Sequence, residues 1–264
     1  MPLSMLPEES VPPRANVLGV GISAITMAQA LRLSDCLLQE NRKDYICLTG
    51  VHGVMESQRD PSLRTILNRG FLCLPDGMPT VWVGRMQGHR AMRRVYGPDY
   101  MLAMCRLSEK RRYRHFLYGG KPGVAEKLKS RLESLIPSIS IVGTYTPPFR
   151  LLTPEEDDEI LGLINQTRPD IVWVGLSTPK QERFMAQYIE RLNTNLLVGV
   201  GAAFDIHAGL LTDAPNWVKN CGLQWLDRLL KEPSRLWRRY FTNNPRFLWD
   251  IGLQITGLKR FELT

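Results

Sequence analysis

The sequence has 264 residues, of which 44% are hydrophobic and 23% charged, a composition that suits a globular protein and excludes an intrinsically disordered chain. The five cysteines form no Cys-x-x-Cys pair, which argues against a disulfide framework or a zinc site and favours a reducing compartment. No apolar run approaches the ~18 residues of a membrane-spanning helix. The net charge of +8 favours an anionic partner: nucleic acid, a phosphate-bearing substrate or an acidic membrane surface.

Hydrophobic periodicity predicts strands and helices that alternate along the chain. Residues 1–15 carry no secretory signal pattern and are expected to form a flexible N-terminus. The predicted strands are residues 16–21, 45–49, 71–74, 115–120, 139–142, 170–175 and 195–199. The predicted helices are residues 24–40, two short segments divided at Asp60 and Pro61, and then 80–86, 122–135, 154–166 and 179–192.

The predicted strands are apolar along their whole length, which is typical of parallel strands buried on both faces. Their alternation with helices predicts an α/β fold: a doubly wound, mostly parallel sheet with helices on both faces, spanning residues 16–211. After about residue 212 the strand patterns end, and Pro215, Pro233 and Pro245 are expected to divide the chain into short helices. Residues 212–264 are therefore predicted to form a helical appendage.

Polar residues and glycines follow most of the predicted strands at the point where each strand ends. In a parallel sheet these points share one edge, where open α/β folds bind their ligands. Helix N-termini and glycine-exposed amides at that edge favour phosphate groups. The candidate binding residues are Thr49, His52, Gly77, Gly119, Gly120, Tyr145, Lys180, Gln181, Glu182, Gly201 and Asp205, together with the carboxylate of Asp76.

Asp76 lies between the predicted strand at residues 71–74 and the following helix, with Pro75 and Gly77 on either side. A carboxylate held at such a junction either caps the helix by accepting hydrogen bonds from its free amides or takes part in chemistry. The local pattern alone favours the cap. Arg94, in a basic loop after the helix, either binds a diphosphate bidentately or is solvated.

Two other functions remain open at this point. Gly19, Gly21 and Ala24 match the G-x-G-x-x-A pattern of dinucleotide-dependent oxidoreductases, although Thr49 stands where that fingerprint has an acidic residue. The basic, tryptophan-rich appendage suits an interfacial helix on an anionic membrane, a nucleic-acid-binding surface, or a helix packed on the core. The four histidines have no metal-ligand spacing, so no protein-bound metal is expected.

Six segments in this order resemble the bacterial WecG/TagA/CpsF glycosyltransferases, and the resemblance covers residues 16–245. The segments are residues 49–52 (TGVH), 74–77 (LPDG), 94–99 (RVYGPD), 174–182 (VGLSTPKQE), 199–205 (GVGAAFD) and 214–236 (beginning APNW). The resemblance implies inverting transfer of a sugar from a nucleotide sugar, usually a UDP-sugar, to an undecaprenyl-diphosphate-linked saccharide in cell-surface or exopolysaccharide biosynthesis. It implies no metal or other cofactor and no nucleic-acid partner.

The same resemblance implies roles for individual residues. Asp76 matches the family's proposed general base. The other matching positions are the pocket residues Thr49 and Arg94, the uracil-stacking Tyr145, the base-contacting Asp205, and Gln181 near the sugar diphosphate.

The appendage is similar to the family's membrane-targeting region, which implies a peripheral protein on the cytoplasmic face of the bacterial inner membrane. Possible diphosphate contacts from this segment are Arg228, Arg235, Arg238 and Arg239. One departure concerns the donor: where the family often has Thr-x-Asn after the second strand, Val51 replaces the asparagine, with His52 adjacent. The donor is therefore expected to be either N-acetylmannosamine or its uronic acid, as in well-known members, or a plain hexose.

Overall fold

The computed structural model describes residues 11–150 and 152–263, without the side chains of residues 216, 220 and 235. This part of the chain forms two β-sheets and twelve helices. The strands are β1 (Arg14–Val17), β2 (Val20–Ser23), β3 (Asp44–Thr49), β4 (Leu72–Pro75), β5 (Arg114–Gly119), β6 (Ser140–Tyr145), β7 (Ile171–Gly175) and β8 (Leu196–Gly199). The helices are α1 (Met27–Gln39), α2 (Val51–Arg59), α3 (Pro61–Arg69), α4 (Met78–Met86), α5 (Gly97–Arg111), α6 (Val124–Leu135), α7 (Pro154–Thr167), α8 (Lys180–Tyr188), α9 (Ala203–His207), α10 (Asn216–Asn220), α11 (Gln224–Lys231) and α12 (Pro233–Ile255).

The strands β3 to β8 form one parallel sheet in the order β4-β3-β8-β7-β5-β6. From β3 the chain continues to β4, at one edge of the sheet. On the other side of β3 lie β8 and then β7, which are the last two strands in the sequence. Such a reversal of strand order opens a crevice at the carboxyl ends of the strands. The predicted parallel sheet is confirmed, and its crevice lies at the ends of β4, β3, β8 and β7.

Apolar side chains cover both faces of this sheet. Helices α2, α3, α7 and α8 pack on one face, together with the β1–β2 hairpin. Helices α1, α5, α6 and α9 pack on the other face, where the fully buried Trp173 of β7 lies. Helices on both faces confirm the predicted doubly wound α/β fold and explain why the strands have no polar face.

The N-terminal strand prediction is wrong in its partner and its register. β1 and β2 form a separate antiparallel hairpin in which Val17 pairs with Val20, so Leu18 and Gly19 are the two turn residues. Both have positive φ, 53° and 83°, as the favoured two-residue hairpin turns require. The glycine pattern thus lies in a hairpin and not in a strand-to-helix turn of the parallel sheet, which removes the structural context of a dinucleotide fingerprint.

The appendage folds into three helices, but the predicted break at Pro245 is wrong. α12 runs through Pro245 as one helix of 23 residues. Phe247 and Ile251, near its C-terminal end, are buried in the same apolar cluster as α2 and α3, so this half of α12 packs on the α/β core. Within the described residues, no helix is long and apolar enough to cross a membrane.

Candidate active site

Asp76 occupies the turn between β4 and α4, at the carboxyl edge of the sheet. Its backbone N–H donates to the carbonyl of Thr49 at the end of β3 (3.2 Å), and its Oδ1 accepts from the N–H of Gly97 at the start of α5 (2.9 Å). The carboxylate therefore accepts a hydrogen bond from a backbone amide of α5 and from no amide of α4. The N-cap residue of α4 is Gly77. Asp76 is half-buried, and neighbouring elements hold both its backbone N–H and its carboxylate.

Gly97 brings the end of β8 close to this carboxylate. A Cβ on Gly97 would lie 3.7 Å from Asp76 Oδ1 and 3.6 Å from the carbonyl oxygen of Val200. The next residue, Gly201, has a positive φ of 50°, and a Cβ there would lie 3.5 Å from Oε1 of Gln181. Asp76, the β8 loop and the first turn of α8 thus form one continuous rim.

Thr49, predicted to line the pocket, is 2% exposed. Its Oγ1 accepts a hydrogen bond from the thiol of Cys73 on β4 (3.4 Å), and its methyl group packs against Gly53 of α2. The structure therefore places the side chain beneath the crevice floor. What Thr49 contributes to the rim is its carbonyl, which holds Asp76.

Arg94 connects Asp76 to the appendage. Its Nε donates to the Asp76 carbonyl (2.5 Å), and Nη2 donates to Oε1 of Gln224 in α11. The guanidinium also lies over the ring of Tyr96, 4.3 Å from the centroid. The predicted diphosphate-binding arginine is therefore engaged by protein groups on both sides of its guanidinium.

Asp213 is a residue that the sequence patterns did not single out. Its carboxylate accepts from the hydroxyl of Tyr96 (2.8 Å), the ammonium of Lys219 (2.8 Å) and the amide of Gln224 (3.3 Å). Burial opposes ionisation, but the hydrogen bonds from Lys219 and Tyr96 outweigh it and lower the pKa of Asp213. Asp213 thereby fastens the start of the appendage to the loop that carries Arg94.

Gln181 and Glu182 open helix α8 at the end of β7, and both are almost fully buried. Gln181 lies across the end of β8, where a Cβ on Gly199 would meet its amide at 3.1 Å. Desolvation raises the pKa of Glu182, against hydrogen bonds from Thr178 and Gln181 that lower it. Lys180, by contrast, is exposed, with its ammonium 5.6 Å above the ring of Phe149.

Gly119 and Gly120 have a packing role at the ends of β5 and β7. Gly119 has a φ of 121°, and a Cβ there would lie 2.8 Å from the backbone of Gly175. The N–H of Gly120 donates to the carbonyl of the same Gly175 (3.0 Å). These contacts let the two strand ends meet, which any side chain at position 119 would prevent.

The ring of Tyr145 and helix α9, which carries Asp205, lie on opposite faces of the sheet. Tyr145, at the end of the edge strand β6, stacks on Tyr118 with their centroids 5.9 Å apart, within the apolar cluster on the α8 face. Asp205 is half-buried in α9, which packs on the opposite face against α5 and α6. The predicted pair for uracil and base contact therefore stays a prediction.

Comparisons with known proteins decide the family. A sequence model described as the glycosyl transferase WecG/TagA/CpsF family matches residues 15–260. The chain belongs to this glycosyltransferase family. The resemblance inferred from the six motifs is thereby confirmed.

Two curated relatives show how far the similarity extends. A protein of Bacillus subtilis (strain 168) is 30% identical over 181 residues, which cover 69% of this chain and 68% of the relative. A protein of Bacillus spizizenii (strain ATCC 23059 / NRRL B-14472 / W23) is 28% identical over 207 residues, or 78% of each chain. Both relatives are named N-acetylglucosaminyldiphosphoundecaprenol N-acetyl-beta-D-mannosaminyltransferase.

In this glycosyltransferase, His52 faces the appendage. It lines an open groove of about 500 Å³ between α2 and α12, together with Glu56, Arg59, Arg238, Arg239, Thr242 and Asn243. Its Nδ1 lies 3.3 Å from the side-chain nitrogen of Asn243. Burial, reinforced by the charges of Arg239 and Arg59, lowers the pKa of His52 to about 4, so the ring is neutral at pH 7 and supplies no charge to a phosphate.

The remaining predicted diphosphate contacts of the glycosyltransferase are spread along the appendage. Arg228 pairs with Glu232 at 3.6 Å, and Arg238 lies over the ring of Trp237 at 5.4 Å. The side chain of Arg235 lies outside the described residues. Of the four arginines, the structure brings Arg238 and Arg239 together with His52 in the groove. Among the described residues, no three His, Cys, Asp or Glu side chains cluster as metal ligands.

Proposed function

We propose that this glycosyltransferase moves a sugar from a UDP-sugar to a saccharide linked to undecaprenyl diphosphate, with inversion at the anomeric carbon and Asp76 as the general base. The observation that carries the proposal is the half-buried carboxylate of Asp76 at the carboxyl edge of the sheet, held through Oδ1 by the Gly97 amide. The relatives' names support an N-acetylmannosaminyl donor and an N-acetylglucosaminyl diphosphate acceptor. A plain hexose donor is the alternative, because Val51 stands where the family often has an asparagine.

An inverting transfer needs one base that takes the proton of the acceptor hydroxyl as its oxygen attacks the anomeric carbon. Asp76 suits this role because the Gly97 hydrogen bond fixes one carboxylate oxygen and leaves the other to receive the proton. The C–O bond to the diphosphate breaks on the opposite side of the sugar, and UDP leaves. Positive groups of the appendage and free amides at the crevice are proposed to stabilise its charge without a metal ion.

The test is an assay of sugar transfer to a synthetic lipid-diphosphate-linked N-acetylglucosamine, in which the release of UDP is measured. UDP-N-acetylmannosamine and UDP-hexoses are compared as donors. We expect turnover with one donor class, the β-anomer as product from an α-linked donor, and an unchanged rate in the presence of EDTA. Retention of the anomeric configuration would contradict the single-base mechanism. Loss of activity in EDTA, restored by a divalent cation, would contradict metal independence.

We also propose that the appendage lies on an anionic membrane at the cytoplasmic face, where a lipid-linked acceptor of a surface polysaccharide is found. Large apolar side chains are exposed along α12 at positions that share one stripe: Trp237, Phe241, Leu248 and Ile255. Arginines accompany them, including Arg238 and Arg246. Exposed aromatic and aliphatic residues beside arginines are the composition of an interfacial helix.

Replacing Phe241 or Leu248 by Ser is expected to weaken binding to anionic vesicles about tenfold each, because each side chain is 69% exposed and would lose its apolar transfer into the interface. Flotation with phosphatidylglycerol vesicles measures this. Leu135→Ser on α6 is the matched control, since Leu135 is 56% exposed but lies outside the appendage. Equal flotation of all three variants and the wild type would contradict the membrane surface proposed for α12.

A further inference from the structure

Two neighbouring buried side chains at the crevice each keep one polar atom without a protein partner. Gln181 and Glu182 are 3% and 1% exposed. Among the described residues, Oε1 of Gln181 and Oε2 of Glu182 are buried and accept or donate no hydrogen bond. Buried polar atoms are seldom left unpaired, because each costs about 1–3 kcal/mol, so an unpaired pair at a ligand crevice indicates a partner that binds there.

The other oxygen of Glu182 determines which end of the Gln181 amide faces the crevice. Glu182 Oε1 accepts from the hydroxyl of Thr178 (2.8 Å) and from Nε2 of Gln181 (3.1 Å). Because a carboxyl oxygen that already accepts from Thr178 repels an amide oxygen, the nitrogen of Gln181 must point inward. The amide oxygen is left beside Gly201, 3.5 Å from the position a Cβ would take there.

An amide oxygen can only accept. A diphosphate at neutral pH offers no proton, whereas sugar hydroxyls and acetamido N–H groups are donors. Gln181 also lies at the end of β8, two strands from β4 and therefore roughly 10 Å from it. In an in-line displacement the acceptor oxygen stands between the base and the anomeric carbon. Because Asp76 follows the edge strand β4, the rest of the sheet edge extends from it over β3 and β8, and we place the donor sugar there.

We infer that Glu182 is a positioning residue that fixes the Gln181 amide, and that Gln181 Oε1 accepts a hydrogen bond from a hydroxyl or amide N–H of the donor sugar and makes no contact with the diphosphate. This inference rests on the proposed function, in that the donor is a UDP-sugar. It replaces the expectation that Gln181 lies against the diphosphate.

Calorimetric titration of UDP and of UDP-N-acetylmannosamine into wild type and Glu182→Gln tests the inference. The new amide can donate to Gln181 Oε1 and so free the Gln181 side chain to turn. We expect the Kd of the UDP-sugar to rise about 5- to 10-fold, the loss of one neutral hydrogen bond, while the Kd of UDP changes less than twofold. Glu190→Gln, at an exposed glutamate just after α8, is the matched control and should leave both Kd values unchanged.

Two further variants keep the test decisive if Glu182→Gln folds poorly. Thr178→Val removes one of the two donors to Glu182 and is expected to weaken UDP-sugar binding in the same selective way. In a Gln181→Leu background, Glu182→Gln should add no further loss, because the oxygen it positions is already absent. A purely structural role would instead weaken UDP and UDP-sugar together.

Parallel weakening of UDP, or a UDP-sugar Kd within twofold of wild type in Glu182→Gln and Thr178→Val, would overturn the inference. Failure of the proposed function would give a different result, in which the wild type binds the UDP-sugar more tightly than UDP but transfers no sugar. The selective effect of Glu182→Gln on UDP-sugar binding can still be measured in that case. A wild type that binds neither UDP nor the UDP-sugar contradicts both.

Discussion

Asp76→Asn is expected to lower kcat by at least about 100-fold, the contribution of a positioned general base, with little change in the affinity for UDP. Asparagine keeps an oxygen that can accept the Gly97 N–H, and the backbone contacts to Thr49 and Arg94 do not involve the side chain. The substitution therefore removes the proposed proton acceptor while the turn that holds it stays intact. Single-turnover transfer rates and calorimetric titration of UDP measure the two quantities.

Asp99→Asn is the matched control for this experiment. Asp99 is an exposed carboxylate in the first turn of α5, two residues after Gly97, so the same chemical change is made near the site but outside the crevice rim. Its kcat should stay within about twofold of wild type. An Asp76→Asn enzyme that retains more than a tenth of wild-type turnover would contradict the base assignment and leave Asp76 the task of orienting the acceptor hydroxyl.

The sheet and its crevice could be predicted because their causes are local in the sequence. Continuous apolar runs such as residues 71–74 are typical of strands buried on both faces, and polar or glycine residues directly after the strands mark the shared edge. The edge position of Asp76 followed from these patterns. The interpretation of Asp76 as a cap of the following helix was wrong, because its side chain accepts a hydrogen bond from the N–H of Gly97 in α5, 21 residues later.

The hairpin and the long last helix were mispredicted for physical reasons. An apolar run with two glycines fits both a buried parallel strand and a tight hairpin. The hairpin is held in part by contacts distant in sequence, such as Gln254, whose Oε1 accepts from the Leu18 N–H and whose Nε2 donates to the Asn16 carbonyl. Pro245 removes one backbone donor from α12, a local cost. Packing of Phe247 and Ile251 into the core offsets that cost, which no local pattern shows.

The network around Arg94 could not be predicted because its partners are distant in sequence. Gln224 is 130 residues from Arg94, and Asp213 is 117 residues from Tyr96. A sequence pattern shows that these residues are polar but not that they meet. Hydrogen bonds consequently cross the predicted division at residue 212. They join the appendage to the loop of Arg94 and Tyr96, and Arg94 in turn contacts the Asp76 carbonyl.

Arg94→Lys is expected to lower kcat/KM by about 10- to 100-fold, because a lysine retains the charge but cannot bond the Asp76 carbonyl and Gln224 from one planar group. Hydrogen bonds from a charged donor are worth about 1.5–3 kcal/mol, which corresponds to this range. Exchange of the backbone amides of residues 76–78 is expected to become faster, since the Asp76 backbone loses one of its supports. Gln224→Ala removes the hydrogen bonds of Gln224 to Arg94 and Asp213 but leaves the bond from Arg94 to the Asp76 carbonyl, so it should give a smaller loss of the same kind.

Arg93→Lys controls for the same change one residue away. Arg93 is exposed and its Nη1 donates to the carbonyls of Arg90 and Met92 within its own loop, so activity and exchange should both match wild type. A loss of activity in Arg94→Lys with unchanged amide exchange at residues 76–78 would show that Arg94 acts on the substrate directly. Faster exchange together with lost activity would show that the appendage is coupled to Asp76 through this arginine, so that the segment proposed to dock on the membrane and the proposed base are parts of one site.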